Sequence, residues 1–360
     1  MTTLDSYVTL GRSGLHVSPL TLGTMTFGED WGWGADPATS HDLLTAYLEA
    51  GGNAIDTANM YTNGHSEKII GDYLAARPGL RDRVVLGTKF FSNLHPGDPN
   101  GGGAGRKGLL GQVEDSLRRL RTDYIDLLWL HNWDRTTPIE ESLRTLDDLV
   151  RAGKVRYIGF SDVPAWVASE AQTLARLRAW TPVTAFQLEY SLLERTVEGA
   201  LLPMCAAHGI GVMPWSPLKN GRLTGKYRRG VAAPADAKRT AYAADVPDAE
   251  WPIIEELCAV ADELRAAPAA VAIAWVVGRP GVTSTLIGAR TPEQLASNLG
   301  ALSVTLDDER RARLDAVSTP TLDFPATYVH SIGTLQYGGA TVDAQTHPVN
   351  PVLIDSPARY

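Results

Sequence analysis

Short β-branched or apolar runs alternate with helical patterns along most of this chain. Runs that read as strands lie at Leu20–Met25, Ala54–Thr57, Val84–Thr88, Tyr124–Leu130, Val155–Phe160, Ala185–Glu189, Gly211–Pro214 and Ser284–Ile287. Helical patterns separate them at Ser40–Ala50, Ser66–Ala75, Lys107–Leu120, Ile139–Arg151, Pro164–Arg178, Val197–His208 and Pro268–Val277, and a last one follows at Pro292–Gly300. Eight β-then-α units with mostly short connections predict an α/β fold, a closed (β/α)8 TIM barrel. An open doubly wound sheet would alternate as well, but eight regular units favour closure.

Local signals punctuate this rhythm. Ser40 and Ser66 read as helix N-caps, and Thr291-Pro292-Glu293 sets a cap, a first-turn proline and an acid in succession. Gly51-Gly52, Gly153 and Gly209 read as helix stops. Residues 7–17 read as an N-terminal β-hairpin that could plug the bottom of the barrel. Three stretches exceed ordinary connections: residues 91–106, residues 218–250, and a tail over 318–360 expected to fold back over the active face. The first two follow strands, and in a barrel the loops after strands build the active face. The expectation is one barrel domain over residues 1–360.

Composition narrows the function classes. Thirty-three basic against 41 acidic residues give a net charge of −8, with no dense Lys/Arg block, which argues against nucleic acid or an anionic membrane as partner. Cys205 and Cys258 are too few for a disulfide framework, and they fit no metal-ligand spacing. The apolar run Ala269–Val277 is too short to span a bilayer, and the first residues do not read as a secretory signal, so a cytoplasmic location is expected. His95, His208, His330 and His347 show no ligand pattern, which leaves no metal site and no metal-dependent hydrolase to expect.

The chemistry gathers at strand ends. The second strand ends at Asp56-Thr57 with Tyr61 soon after, the third ends at Thr88-Lys89, and the fourth runs into His131. In a barrel these positions converge on one pocket. Singly, Asp56 with Lys89 reads as a structural ion pair, Tyr61 as a loop aromatic and His131 as a core histidine. Together, an acid that holds a lysine, a lysine that favours a phenolate, and an imidazole that shares the hydroxyl or a substrate carbonyl make up a general acid for protonating oxygen.

Asp56, Tyr61, Lys89 and His131, in this order, resemble the catalytic tetrad of the aldo-keto reductases, and the resemblance spans about residues 5–315. The stretch from Gly52 to Tyr61 is similar to the family's first signature, and the stretch from Gly153 to Ser161 is similar to its fifth-strand segment. The resemblance implies reduction of an aldehyde or ketone by direct hydride transfer from NADPH, bound across the barrel mouth without a Rossmann domain. It implies that Ser161 and Gln187 hold the carboxamide, with Asp162 where relatives often carry Asn, and that Trp215 stacks on the nicotinamide. Ser216, Pro217, Leu218, Asn220 and Gly221 would serve the pyrophosphate, and Gly23, Thr24 and Met25, at the end of the first strand, would join the cofactor site beside Asp56. Ile287, Gly288, Ala289, Arg290, Gln294 and Asn298 would form the adenosine site, at a helix start that favours phosphate. Arg290 argues for NADPH by clamping a 2′-phosphate; many relatives place a basic residue where Gln294 stands, so NADH stays open.

Trp31, Trp33, Phe90, Phe91 and Trp133 would wall the substrate pocket, possible substrates being aromatic aldehydes, keto-sugars and natural-product ketones. Asp323, Phe324, Pro325 and Tyr328 of the tail could reach it. The alternative function is an NADP(H)-binding redox-sensing subunit attached to a partner protein, in which the tetrad would also be intact. The oligomeric state is open.

Overall fold

The computed structural model describes residues 2–227, 229–230 and 246–354. Part of the 218–250 connection and the end of the tail, residues 355–360, lie outside the described residues. A hairpin of β1 (Val8–Thr9) and β2 (His16–Val17) precedes eight parallel strands: β3 (Leu20–Gly23), β4 (Ala54–Asp56), β5 (Val85–Phe90), β6 (Ile125–Leu130), β7 (Val155–Ser161), β8 (Val183–Glu189), β9 (Gly211–Trp215) and β10 (Thr285–Gly288). The ladder runs in sequence order, and β10 returns to pair with β3 through Thr285–Leu20 to Gly288–Gly23. Between β9 and β10 the ring is joined by a single bridge, Val212 to Val282, supported by the Thr283 N–H donating to the Val212 carbonyl at 2.8 Å. The result is the (β/α)8 TIM barrel that the alternation predicts.

Two layers of core follow from the strand period of two. Leu20, Leu22, Ile55, Leu86, Leu128, Leu130, Ile158, Phe160 and Phe186 face the helices. Ala54, Leu127, Trp129, Ala185, Met213 and Leu286 fill the interior, and Leu10 and Val17 of the hairpin join them at its floor. The helices are α1 (Pro37–Glu49), α2 (His65–Ala75), α3 (Arg106–Leu120), α4 (Ile139–Arg151), α5 (Ala165–Arg178), α6 (Leu201–His208), α7 (Trp251–Leu264), α8 (Pro268–Val277), α9 (Pro292–Leu299) and α10 (Asp308–Val317).

Some local expectations are corrected. Ser40 lies inside α1; the cap is Asp36, whose carboxylate accepts the Thr39 N–H at 2.9 Å ahead of Pro37. Ser66 is the second residue of α2, and its hydroxyl serves the Thr24 carbonyl and hydroxyl at 2.9 Å. The Val197–His208 pattern breaks into a 3-10 turn, Thr196–Glu198, and the shorter α6. α7 and α10 are additions to the predicted set. Beyond α10, the tail forms short helices at Ala326–Ser331, Gly333–Tyr337 and Pro351–Ile354 around a small hairpin. Its start packs near Gly199, after β8, through Leu322 and Ala326, while Phe324 and Tyr328 stay exposed. No helix among the described residues is long and apolar enough to cross a membrane, and no group of three potential ligands there is placed to hold a metal ion.

Candidate active site

The C-terminal ends of β4, β5 and β6 bring the four tetrad candidates together. Asp56 ends β4, Lys89 precedes the last residue of β5, and His131 follows β6, its N–H donating to the Phe90 carbonyl at 3.1 Å. Tyr61 arrives on a 3-10 turn, Tyr61–Gly64, in which Thr62 and Asn63 take positive φ of 47° and 58°. That conformation is costly for a β-branched residue. It is held because the Thr62 hydroxyl donates to the Phe27 carbonyl at 2.8 Å and accepts the Ser66 N–H at 3.1 Å.

Lys89 and Asp56 are 1% and 2% exposed and form an ion pair. A buried pair persists only where its remaining donors and acceptors are also used. Here Lys89 Nζ donates to the Thr57 carbonyl at 2.8 Å and to the Tyr61 hydroxyl at 3.1 Å, and Asp56 Oδ2 accepts Gln187 Nε2 at 3.0 Å. Burial pushes the Asp56 carboxyl up against the pull of Lys89. Burial acts to lower Lys89, but Asp56 and Tyr61 together outweigh it and hold the ammonium above the ordinary lysine range. Burial raises the Tyr61 hydroxyl, with Lys89 opposing. Burial, aided by the Lys89 charge, drives His131 down to about 3, so its ring is neutral at physiological pH. That ring stands edge-on to Tyr61 at 5.9 Å, and its Nδ1 is buried without a hydrogen-bond partner among the described residues.

Across the mouth, Ser161 ends β7 in register with Gln187 of β8, and Trp215 ends β9 opposite Glu189. The loop after Trp215 carries positive φ at Ser216, Lys219 and Asn220, besides Gly221. Such strain collects at functional loops. Gly23 lies in register between Asp56 and Gly288, and Met25 is half-buried beyond it. Arg290 donates its N–H to Gln294 Oε1 at 2.9 Å and a guanidinium N–H to the Trp33 carbonyl at 3.4 Å. Several other cofactor candidates have side chains occupied by the fold. The Thr24 hydroxyl donates to the Asp56 carbonyl at 3.0 Å, Asn298 donates to the Gly288 carbonyl at 3.0 Å, Pro217, Ile287 and Ala289 are buried, and Leu218 packs on the core.

Among the substrate candidates, Trp31 and Trp33 lie 5.7 Å apart, and Trp31 meets Tyr61 edge-on at 6.5 Å. Trp133, two residues after His131, stands edge-on to Trp166 at 5.5 Å. Phe91 is half-buried against the core after β5. Phe90 is a correction. β5 runs on through it, so strand alternation turns it away from Lys89 into the helix layer, 1% exposed.

Five contributions escaped the sequence reading. Trp129 fills the barrel beneath the tetrad; its signal was parity, two residues before His131 on one strand face. Gly159 makes room for it, since a Cβ there would sit 2.4 Å from the indole. Gln112 ties the 91–106 loop to the site by accepting the Phe91 N–H at 2.8 Å and an Asn59 N–H at 3.1 Å. Trp166, on α5, carried no signal beyond its type. Asp162 accepts the Trp215 indole N–H at 3.2 Å, a contact not readable from residues so far apart in sequence.

The Aldo/keto reductase family model matches residues 19–319. The norsolorinic acid reductase of Aspergillus flavus is 35% identical over 337 residues, covering 90% of this chain and 84% of the relative. The uncharacterized oxidoreductase YrpG of Bacillus subtilis is 39% identical, covering 84% of this chain and 93% of the relative. An aryl-alcohol dehydrogenase [NADP(+)] of Phanerodontia chrysosporium is 37% identical, covering 82% of this chain and 81% of the relative. A match across the whole barrel, with a tyrosine, a lysine, an aspartate and a histidine meeting at its mouth, leaves one assignment: the chain belongs to the Aldo/keto reductase family and is an NAD(P)H-dependent oxidoreductase.

Proposed function

We propose that the protein interconverts an aromatic aldehyde or ketone and its alcohol, with NADPH as the preferred cofactor and Tyr61 as the general acid. The observation that carries this reading is the Lys89 N–H donated to the Tyr61 hydroxyl at 3.1 Å, with Lys89 itself held by buried Asp56.

The groups around the mouth suit a nicotinamide dinucleotide. Ser161 and Gln187 offer a hydroxyl and an amide to a carboxamide, and Trp215 offers a flat face. At the other end, the Arg290 guanidinium stands at the start of α9, where amide N–H groups and the helix dipole also favour phosphate. When bound, the cofactor supplies the hydride that reaches the carbonyl carbon. Tyr61 gives its proton to the carbonyl oxygen, and Lys89 stabilises the phenolate left behind. Asp56 keeps Lys89 cationic and aimed. His131, neutral, orients the carbonyl by hydrogen bonding without adding charge. The tryptophans at 31, 33 and 133 favour a flat substrate, in keeping with the aryl-alcohol dehydrogenase among the relatives.

The test is loss of nicotinamide absorbance with a panel of aromatic, aliphatic and sugar carbonyls, run with NADPH and then NADH. Turnover of aromatic members with NADPH supports the reading. Tight NADPH binding with no carbonyl reduced would replace it with a redox-sensing role.

A further inference from the structure

Asp162 is the first residue after β7, and its N–H donates to the Gln187 carbonyl at 3.2 Å, extending the strand pairing by one residue. Its φ of 51° is left-handed, which Asp and Asn tolerate better than most residues. In that conformation one carboxylate oxygen accepts the Trp215 indole N–H at 3.2 Å, and the other lies 3.4 Å from the Ser161 hydroxyl. Asp162 therefore stands between two of the groups proposed above for the nicotinamide, and its backbone touches the third, Gln187.

We propose that Asp162 is a specificity-determining residue that favours the oxidised cofactor: its carboxylate fixes the Trp215 indole and places a negative charge beside the nicotinamide ring. The inference rests on the nicotinamide site proposed above. Among the described residues no lysine or arginine forms an ion pair with Asp162, because Lys219 is engaged with Glu189 at 2.9 Å and Lys89 with Asp56. Burial by the surrounding protein, with the Glu189 carboxylate adding to it, pushes the Asp162 carboxyl up to about 6, which leaves it ionised in mildly alkaline buffer. A charge without a counter-ion gains from a cationic ring and gains nothing from the neutral reduced ring. Preference for the oxidised form makes the bound reduced cofactor a stronger hydride donor. An asparagine would keep the acceptor for the indole and lose the charge.

The experiment is calorimetric titration of the full-length protein with NADP+ and, separately, with NADPH, for the wild type, Asp162→Asn and Asp162→Glu in mildly alkaline buffer. The expected result for Asp162→Asn is roughly a tenfold fall in the preference for NADP+ over NADPH, with Asp162→Glu restoring part of it. A merely structural role would move both affinities together. Equal shifts, or none, in Asp162→Asn would overturn the inference while leaving the cofactor site standing. A wild type that binds neither form would overturn the nicotinamide site and this inference with it. Thermal melts of the variants identify any that are unfolded, and the Asp162→Glu comparison then decides.

Discussion

Lys89 Nζ donates to the Tyr61 hydroxyl at 3.1 Å from a position that is 1% exposed. The same ammonium is paired with Asp56, so removing it strands a buried carboxylate. Lys89→Met is expected to destabilise the fold by roughly 3–5 kcal/mol. The double variant Asp56→Asn/Lys89→Met removes both charges and should recover part of that loss. Urea denaturation reads both values; a single variant as stable as the double would contradict the pairing argument.

His131 gives a pH prediction with a definite sign. Its folded-state value of about 3 lies below the ordinary 6.5, so the unfolded chain takes up a proton that the folded chain refuses. This contribution lowers stability as pH falls from 6.5 toward about 3 and is absent above that window. His131→Asn should therefore flatten the stability-against-pH curve there, as read by denaturant melts at both ends. An unchanged slope would show that the imidazole is not held neutral.

Gly159→Ala tests the packing beneath the site. A Cβ there would lie 2.4 Å from the Trp129 ring and 3.1 Å from the Ala185 carbonyl oxygen. Overpacking of this kind costs about 1–3 kcal/mol. Trp129→Leu in the same chain should relieve part of it. A lone Gly159→Ala with an unchanged melting temperature would contradict the close approach.

Arg290→Ala addresses the choice of nicotinamide cofactor. Loss of a charge-assisted contact to a 2′-phosphate should weaken NADPH by about ten- to a hundredfold and leave NADH nearly unchanged. Equal weakening of the two in binding titrations would remove Arg290 from phosphate recognition.

The barrel was legible because each strand is an apolar run of the right length and the runs recur regularly. α8 fits its predicted span, Pro268–Val277, because proline marks its start and apolar residues fill it. α7 was missed although Ile254, Leu257, Val260 and Ala261 are buried along one stripe; it is an extra helix that the β-then-α count does not ask for. α10 buries Leu314 alone in a largely charged segment and so has almost no periodicity to read. The four tetrad candidates could be placed together from sequence because Asp56, Lys89 and His131 lie at or just past neighbouring strand ends and Tyr61 follows Asp56 closely on a turn. Phe90 was misplaced because one residue of strand length decides which face a side chain takes. The contact of Gln187 with Asp56 joins opposite sides of the barrel, and that of Trp215 with Asp162 reaches over β8 between two strands that do not pair; neither can be read before the strand order is known.

The most direct test of the account is Tyr61→Phe, assayed for carbonyl reduction and for NADPH binding in the same preparation. The substitution removes one hydroxyl and keeps the ring that packs against Trp31 and His131. The account predicts turnover reduced on the order of 10²- to 10⁴-fold, with NADPH affinity nearly unchanged. Turnover equal to that of the wild type would contradict Tyr61 as the proton donor.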